Sequence, residues 1–303
     1  MSGSTGAPRV QSREHFKQFL DSYLKIISKF PGFVSITPSG SYNSNPNKHD
    51  FGDIDLITHI ESNNDKATVK KELVDFFNKM DDSVIVPFTS EKHAGRKTYN
   101  AGELVTVRYH EKRLGYSAQI DNIIALDKSE ADFKQQFLDL PAEKQGLILG
   151  LTKVATIETD PKILFAKLHI KVPAKLPQGQ EYEFNLSSVE IQLRKVTYEA
   201  DSFKQKSREV VWKSRDFNDL EKILYQFNIH TTFEDLIKQA KNKLKNPRSS
   251  ARMQGVFSSM ISVKSGEVGT PKGADKTAAL NKVRNIFGES VVAFSTYIRG
   301  DYE

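Results

Sequence analysis

Two aspartates at alternate positions of one predicted strand place a strong constraint on how this chain can fold. Asp53 to Ile60 alternates with period two, so Asp53 and Asp55 point to the same face, a few ångströms apart. Like charges at that separation are costly unless a positive group lies between them. On a buried strand a hard cation is the simplest such group, and Mg²⁺ is commonly held by one or two carboxylates together with substrate phosphates. The pattern predicts a Mg²⁺ or Mn²⁺ site at Asp53 and Asp55.

A Gly-Ser turn precedes this strand. Ser39-Gly40-Ser41 follows a short predicted strand, and eleven residues separate Ser41 from Asp53. Gly40 permits a backbone shape that presents N–H groups, together with the Ser41 hydroxyl, to a phosphate. Gly40 and Ser41 are therefore predicted to bind substrate phosphates.

The first 128 residues are predicted to form a mixed-sheet α/β domain (α+β in connectivity), because helical and period-two patterns alternate along them. Pro38 to Gly52 and Ser90 to Asn100 are predicted loops, and His110 to Gly115 joins two strands as a hairpin. The predicted helices are 12–30 and 65–80, and the predicted strands are 33–37, 53–60, 83–88, 104–109 and 116–124.

Gly40-Ser41, eleven residues, then Asp53-Ile54-Asp55-Leu56 resembles the signature of the polymerase beta-like nucleotidyltransferase superfamily. The order of elements over residues 12–126 is similar to that fold. The resemblance implies a third metal-binding carboxylate on a later strand, and Asp121 is the candidate. Tyr42 matches the Gly-Ser-aromatic start of several branches, among them cyclic-dinucleotide synthases and archaeal-type CCA-adding enzymes, and is a candidate substrate-binding residue.

The resemblance implies an enzyme that performs two-metal phosphoryl transfer from an NTP with release of pyrophosphate. Asp53 and Asp55 would bind both ions, and Asp121 would bind the ion that activates the acceptor hydroxyl. Ser41 and the nearby backbone would hold the terminal phosphates. Near this site, His49 is assigned to the loop surface and His59 to the edge of the core.

The second half, residues 129–303, is predicted to be a basic, mainly helical domain with a strand segment at 182–197. Residues 151–303 hold 25 Lys and Arg against 18 Asp and Glu, whereas residues 1–150 hold 19 against 20. An excess of positive charge suggests an anionic partner, a nucleotide or a nucleic-acid acceptor, although a solvated lysine-rich surface is the alternative. The predicted helices are 129–138, 142–154, 160–170, 216–227, 233–245, 249–261 and 276–287.

A Gly- and Lys-rich segment at 262–274 lies between the last two predicted helices. It lacks the Walker spacing and so is not a P-loop. Two interpretations stay open, a flexible surface loop and a contact to the acceptor or the triphosphate.

Composition narrows the class of protein further. The absence of cysteine excludes a disulfide framework and thiolate zinc sites and fits a reducing compartment. Residues 1–9 lack the apolar core of a signal peptide, and the longest apolar stretch, 146–154, is too short to cross a bilayer. We expect a cytoplasmic protein with no membrane partner, and the sequence leaves its oligomeric state open.

Three functions follow as hypotheses. The first is transfer of a nucleoside monophosphate to a nucleic-acid 3′ end, with RNA as the acceptor, which the basic second half supports. The second is synthesis of a cyclic or short signalling oligonucleotide, which the Gly40-Ser41-Tyr42 start favours. The third is an inactive nucleic-acid-binding scaffold, which the presence of all three carboxylates argues against.

We expect Lys238, Lys241 and Lys245 to contact RNA phosphates, because their three- and four-residue spacing places them on one face of the predicted helix. Affinity measured against KCl concentration should show a log–log slope of about −0.7 per phosphate contact. Changing all three lysines to Gln should flatten that slope. An unchanged slope would remove this helix from the interface and place the signalling-oligonucleotide hypothesis first.

Overall fold

A computed structural model describes residues 5–140, 148, 165–173, 176–186, 190–199 and 205–226. The chain divides into two compact units, Met1–Pro141 and Ala142–Glu303. The predicted boundary after residue 128 coincides with the start of a helix that packs on the sheet of the first unit.

A mixed five-stranded sheet forms the centre of the first unit, with strand order β1-β2-β5-β4-β3. Strand β2 pairs in parallel with β5, and the other neighbours are antiparallel. The parallel pair lies in the middle of the sheet, so the segments that carry Asp55 and Asp121 are neighbours. The strands are β1 (Phe33–Pro38), β2 (Ile54–Ile60), β3 (Thr98–Ala101), β4 (Leu104–Glu111) and β5 (Tyr116–Ala125).

Each of the three long helices of this unit begins at a side-chain cap. Ser12, Asp65 and Asp127 accept hydrogen bonds from backbone N–H groups in the first turns of their helices. Such caps satisfy donors that have no partner within the helix. The four helices are α1 (Arg13–Ile27), α2 (Ser41–Ser44), α3 (Lys66–Asn78) and α4 (Lys128–Leu138).

The main core contains the apolar faces of α1 and α3 together with alternate residues of the central strands. Those helix faces contribute Phe16, Phe19, Tyr23, Ile27, Val69, Leu73 and Phe77, all fully or almost fully buried. Ile54, Leu56 and Ile120 belong to the same core. Because side chains alternate along a strand, Asp55 and Asp121 lie on the opposite face of the sheet.

A buried polar network ties this core to the strand that carries Asp121. Asn122 is fully buried, and its Oδ1 accepts from the Tyr23 hydroxyl at 3.0 Å and the Thr58 hydroxyl at 3.1 Å. Its Nδ2 donates to the carbonyl of Val105 at 3.0 Å. One amide therefore links α1, β2 and β4 to β5.

Helix α4 is held to the first unit by buried charges. The fully buried Nζ of Lys134 lies 2.7 Å from Glu130 and 2.9 Å from Glu103, and Lys66 also pairs with Glu130. Buried charges are tolerated when they are paired, whereas removing one partner leaves a costly unpaired charge. The pairs to Glu103 and Lys66 explain why α4 belongs with the first unit.

In the second unit the described residues include a three-stranded antiparallel sheet, a helix that follows it, and helical residues at 165–167. The strands are β6 (Gln180–Leu186), β7 (Ile191–Tyr198) and β8 (Gln205–Ser214), and the helix is α5 (Phe217–Gln226). The strand segment at 182–197 is confirmed as two strands and the helix at 216–227 as α5.

The sequence analysis missed β8. Its residues are mostly polar or charged, and those from Lys206 to Val210 are exposed, so no apolar alternation marks the strand. The described part of this unit is therefore richer in strand than a mainly helical domain with one strand segment. The predicted helices at 233–245, 249–261 and 276–287, the one at 142–154 except for residue 148, residues 160–164 of the one at 160–170, and the segment 262–274 lie outside the described residues.

Three local predictions in the first unit were wrong. The strand predicted at 83–88 is a single bridge between Ile85 and Tyr109, and Pro87 lacks the N–H that a longer ladder needs. The loop predicted at Ser90 to Asn100 ends as the edge strand β3. Within Pro38 to Gly52 the Gly-Ser turn opens the short helix α2. Strand β2 begins at Ile54, so Asp53 lies one residue before it.

No helix in the described residues is long and apolar enough to cross a membrane.

We expect Asn122→Leu to destabilise the protein although leucine is the more hydrophobic residue. The change would leave the Tyr23 hydroxyl, the Thr58 hydroxyl and the Val105 carbonyl without their partner, and each such loss costs roughly 1–3 kcal/mol. Tyr23→Phe removes only one of these bonds and should cost about 1 kcal/mol. Equilibrium urea unfolding compares the two, and an Asn122→Leu protein as stable as Tyr23→Phe would contradict the network's role.

Candidate active site

The three predicted carboxylates come together on one face of the central sheet. Asp55 and Asp121 are register partners on the parallel strands β2 and β5. Asp53 precedes β2, and its charge is felt by both of the other carboxylates. The structure therefore places side by side two residues that are 66 positions apart in the sequence.

Burial makes these carboxylates hard to ionise. It raises the pKa of Asp55 well above the ordinary value, and the neighbouring charges of Asp53 and Asp121 raise it further. Burial and then the Asp53 charge raise the pKa of Asp121 to about 6. Burial also raises the pKa of Asp53, against the opposing effect of Lys48 and Arg9. Within the described ranges, none of the three carboxylates forms an ion pair with a Lys or Arg side chain.

Two polar side chains orient the Asp121 carboxylate. The Thr106 hydroxyl donates to Oδ1 at 2.5 Å, and Gln119 Nε2 donates to Oδ2 at 3.1 Å and to Oδ1 at 3.3 Å. These hydrogen bonds favour the ionised form and partly offset the effect of burial on the pKa of Asp121. Sequence reasoning missed both residues, although Gln119 could have been found as the residue two positions before Asp121 on the same strand face.

The Gly-Ser turn packs directly against Asp55. Gly40 has φ +65°, and a Cβ at this position would lie 2.6 Å from Asp55 Oδ2. The N–H of Ser39 donates to the carbonyl of Asp55 at 3.0 Å. A side chain at residue 40 would therefore face both backbone strain and a clash with the carboxylate. The predicted pairing of the turn with the Asp-x-Asp strand thus has a physical basis.

Lys48 supplies positive charge beside the turn, and the sequence analysis did not single it out. Its Nζ donates to the Ser41 hydroxyl at 2.8 Å. Burial raises the pKa of Asp53 and of Asp55, and the positive charge of Lys48 partly opposes that rise. A hydroxyl and an ammonium group at hydrogen-bond distance can bind the same phosphate oxygens. Ser41 and Lys48 together form the candidate phosphate-binding pair.

The Tyr42 ring is packed into the protein in this structure. It stacks on Phe16 with ring centroids 4.1 Å apart, and the Arg13 guanidinium lies 4.1 Å from its centroid. Arg13 also donates to the carbonyl of Tyr42 at 2.8 Å. These contacts anchor α2 to α1.

Among the described residues, no group of three or more His, Cys, Asp or Glu side chains is arranged to hold a metal ion. The carboxylates nevertheless fit a hard divalent cation, because they are oxygen donors whose charges are buried close together. Mg²⁺ usually takes only one or two carboxylates and completes its shell with water and substrate phosphates. Asp53 and Asp55 are the residues that would hold such an ion first.

The remaining residues considered in the sequence analysis are two histidines and three lysines. His49 is exposed and His59 is buried, with its Nε2 lacking a hydrogen-bond partner. Lys238, Lys241 and Lys245 lie outside the described residues.

Compared with known proteins, the chain matches no protein-family model and no curated sequence.

We expect the metal-free protein to lose stability as the pH rises from 4 to 6, because of Asp121. Its pKa is about 6 in the folded chain against an ordinary 3.8. Well below pH 3.8 the carboxyl is protonated in both states. As the pH rises the unfolded chain loses the proton first, which lowers the free energy of unfolding until both states are ionised above pH 6. A shift of about two units corresponds to roughly 3 kcal/mol.

Asp121→Asn removes this effect. Denaturant unfolding in EDTA should therefore show the variant gaining on wild type by about 1–3 kcal/mol between pH 4 and pH 7. Asp65→Asn is the control, because the Thr68 N–H lowers the pKa of Asp65 below its ordinary 3.8, so this carboxyl titrates below pH 4 and the gap between that variant and wild type should stay nearly constant from pH 4 to pH 7. A constant gap between Asp121→Asn and wild type would contradict the assignment.

Proposed function

We propose that the first unit is the catalytic domain of a metal-dependent nucleotidyltransferase of the polymerase beta-like superfamily. The observation that carries this proposal is the pairing of Asp55 with Asp121 on adjacent parallel strands, with Gly40 packed against Asp55. The resemblance to that superfamily requires the Gly-Ser turn and both aspartate-bearing strands to lie together. The register of β2 with β5 and the contact of Gly40 with Asp55 agree with this requirement.

The residues divide into roles by position. Asp53 and Asp55 would hold both cations, and Asp121 would share one of them. Bound Mg²⁺ or Mn²⁺ would neutralise the triphosphate and lower the pKa of the acceptor hydroxyl. Ser41 and Lys48 would bind the terminal phosphates, and Lys48 would also offset negative charge beside Asp53.

Thr106 and Gln119 give Asp121 a fixed orientation in this scheme. A carboxylate held by a hydroxyl and an amide keeps its remaining lone pairs available in a defined direction. Acceptor hydroxyl and ligand atoms must be aligned closely for phosphoryl transfer, so orientation of this group affects the rate of the reaction.

The acceptor that we propose first is an RNA 3′ end. Residues 236–284 carry 11 Lys and Arg against two acidic residues, a balance that suits a polyanion. The second candidate is synthesis of a cyclic or short signalling oligonucleotide, which the Gly40-Ser41-Tyr42 sequence favours.

Incubation with each labelled NTP and Mg²⁺ or Mn²⁺, with and without RNA, tests these proposals through separation of the products. Elongated RNA would support the first acceptor. Short or cyclic oligonucleotides formed without RNA would support the second. Absence of turnover with all four NTPs under both metals would favour the inactive nucleic-acid-binding scaffold and contradict the proposed activity.

We expect Asp53→Ala and Asp55→Ala each to lower kcat by about a thousandfold or more, because loss of a metal-bridging carboxylate removes several kcal/mol of charge stabilisation. Initial rates at saturating Mg²⁺ measure the effect. Asp75→Ala is the matched control, since it removes an exposed carboxylate on α3. Near-normal activity in either site variant would contradict the site assignment.

A further inference from the structure

Residues Thr5 to Val10, here named the N-terminal strap, connect the two sides of the carboxylate site. At one end Val10 and Phe51 exchange backbone hydrogen bonds of 2.8 and 2.9 Å, two residues before Asp53. At the other end the Thr5 hydroxyl donates to Gln119 Oε1 at 3.2 Å, two residues before Asp121. Both end residues of the strap are fully buried.

The strap is held closely where it passes Thr89. The N–H of Thr89 donates to the carbonyl of Thr5 at 3.0 Å. Gly6 has φ +73°, and a Cβ there would lie 2.6 Å from Thr89 Oγ1 and 2.8 Å from the nitrogen of Ser90. Thr89 is fixed in turn by Arg108, whose Nη1 donates to the threonine hydroxyl at 2.9 Å. Thr5 therefore has a defined position relative to the sheet.

A hydrogen-bond chain with one direction runs from the strap to Asp121. The N–H of Ala7 donates to Thr5 Oγ1 at 3.2 Å, and the Thr5 hydroxyl donates to Gln119 Oε1. The amide Nε2 of Gln119 then donates to both oxygens of Asp121. A backbone N–H can only donate and an ionised carboxylate can only accept, so both ends of the chain set the same direction.

This direction decides which side of the Gln119 amide faces the carboxylate. If the amide were turned over, Oε1 would face the negative charge of Asp121 and the amide nitrogen would face Thr5. In that arrangement the Thr5 oxygen would accept from both the Ala7 N–H and the amide nitrogen, and its hydroxyl proton would lose Gln119 Oε1 as its acceptor, so the Thr5 hydroxyl favours the observed orientation. Thr5 thereby acts on Asp121 without contacting it.

We infer that Thr5 and Gln119 are positioning residues for Asp121, and that the N-terminal strap acts on the site through Thr5 alone. The inference rests on the proposed function, in which Asp121 binds a divalent cation. Residues that hydrogen-bond to a metal ligand typically change metal affinity or activity by about 10- to 100-fold when they are replaced.

Thr5→Val and Thr5→Ser form a matched pair for the test, because valine keeps the shape but lacks the hydroxyl, whereas serine keeps the hydroxyl. We expect Thr5→Val to weaken Mn²⁺ binding, measured by calorimetry without nucleotide, by about tenfold. It should also lower kcat by about tenfold while the KM for NTP stays within about twofold, because Ser41 and Lys48 are unchanged. Thr5→Ser should restore both values, and Gln119→Leu should reproduce the Thr5→Val defect.

Val10→Ala controls for a purely structural effect of the strap. It removes buried apolar volume in the same segment but leaves the hydrogen-bond chain intact. We expect it to lower the melting temperature with Mn²⁺ affinity unchanged. Equal Mn²⁺ affinity in Thr5→Val and Thr5→Ser would overturn the inference, as would a loss of affinity in Val10→Ala as large as that in Thr5→Val.

The two proposals fail separately. If wild type turns over no NTP, but Thr5→Val loses Mn²⁺ affinity while Thr5→Ser and Val10→Ala keep it, the proposed function is wrong and the positioning role stands. If wild type is active and Thr5→Val matches it in both Mn²⁺ affinity and kcat, the proposed function stands and the positioning role is wrong.

Discussion

The first unit is organised around negative charge that the fold concentrates in a partly buried place. Parallel pairing of β2 and β5 sets Asp55 beside Asp121, and Asp53 adds a third charge. Each residue beside the three carboxylates leaves room for them, donates a hydrogen bond to them or supplies positive charge. Gly40 leaves room for the Asp55 carboxylate, Thr106 and Gln119 donate to Asp121, and Lys48 lies on the side of Asp53 and Asp55.

Rigidity on the opposite face of the sheet makes such an arrangement possible. Asp121 and Asn122 are consecutive, so their side chains point to opposite faces. Asn122 is fastened by three hydrogen bonds to Tyr23, Thr58 and Val105 within the core. Because the core holds β5 firmly on one face, the strand can carry on its other face a carboxylate that is repelled by its neighbours. The core offsets the stability that this repulsion costs.

Local patterns were sufficient to predict much of this unit. The apolar spacing of α1 and α3 and the alternation of β4 and β5 are all visible in a single sequence window. The pairing of Gly40 with Asp55 could also be anticipated, because the motif spacing places both at the same end of β1 and β2.

What could not be predicted depends on contacts between distant residues. The hydrogen bond from Thr5 to Gln119 joins residues 114 positions apart, so no local pattern indicates it. The short bridge at Ile85 and the edge strand β3 depend on what lies beside them, and the same holds for β8, whose residues give no apolar alternation.

The hairpin that joins β1 to β2 has an evolutionary consequence. Pro38 pairs with Leu56 and Ser39 bonds to Asp55, so the ends of the connecting loop are fixed independently of its length. Asn45, Pro46 and Asn47 are exposed at its tip, where insertions are commonly tolerated. Descendants of this chain could therefore lengthen or shorten the tip and move the ammonium of Lys48 while the carboxylates stayed in place. In the proposed nucleotidyltransferase, changes in this one loop would alter substrate preference while the three carboxylates stayed in place.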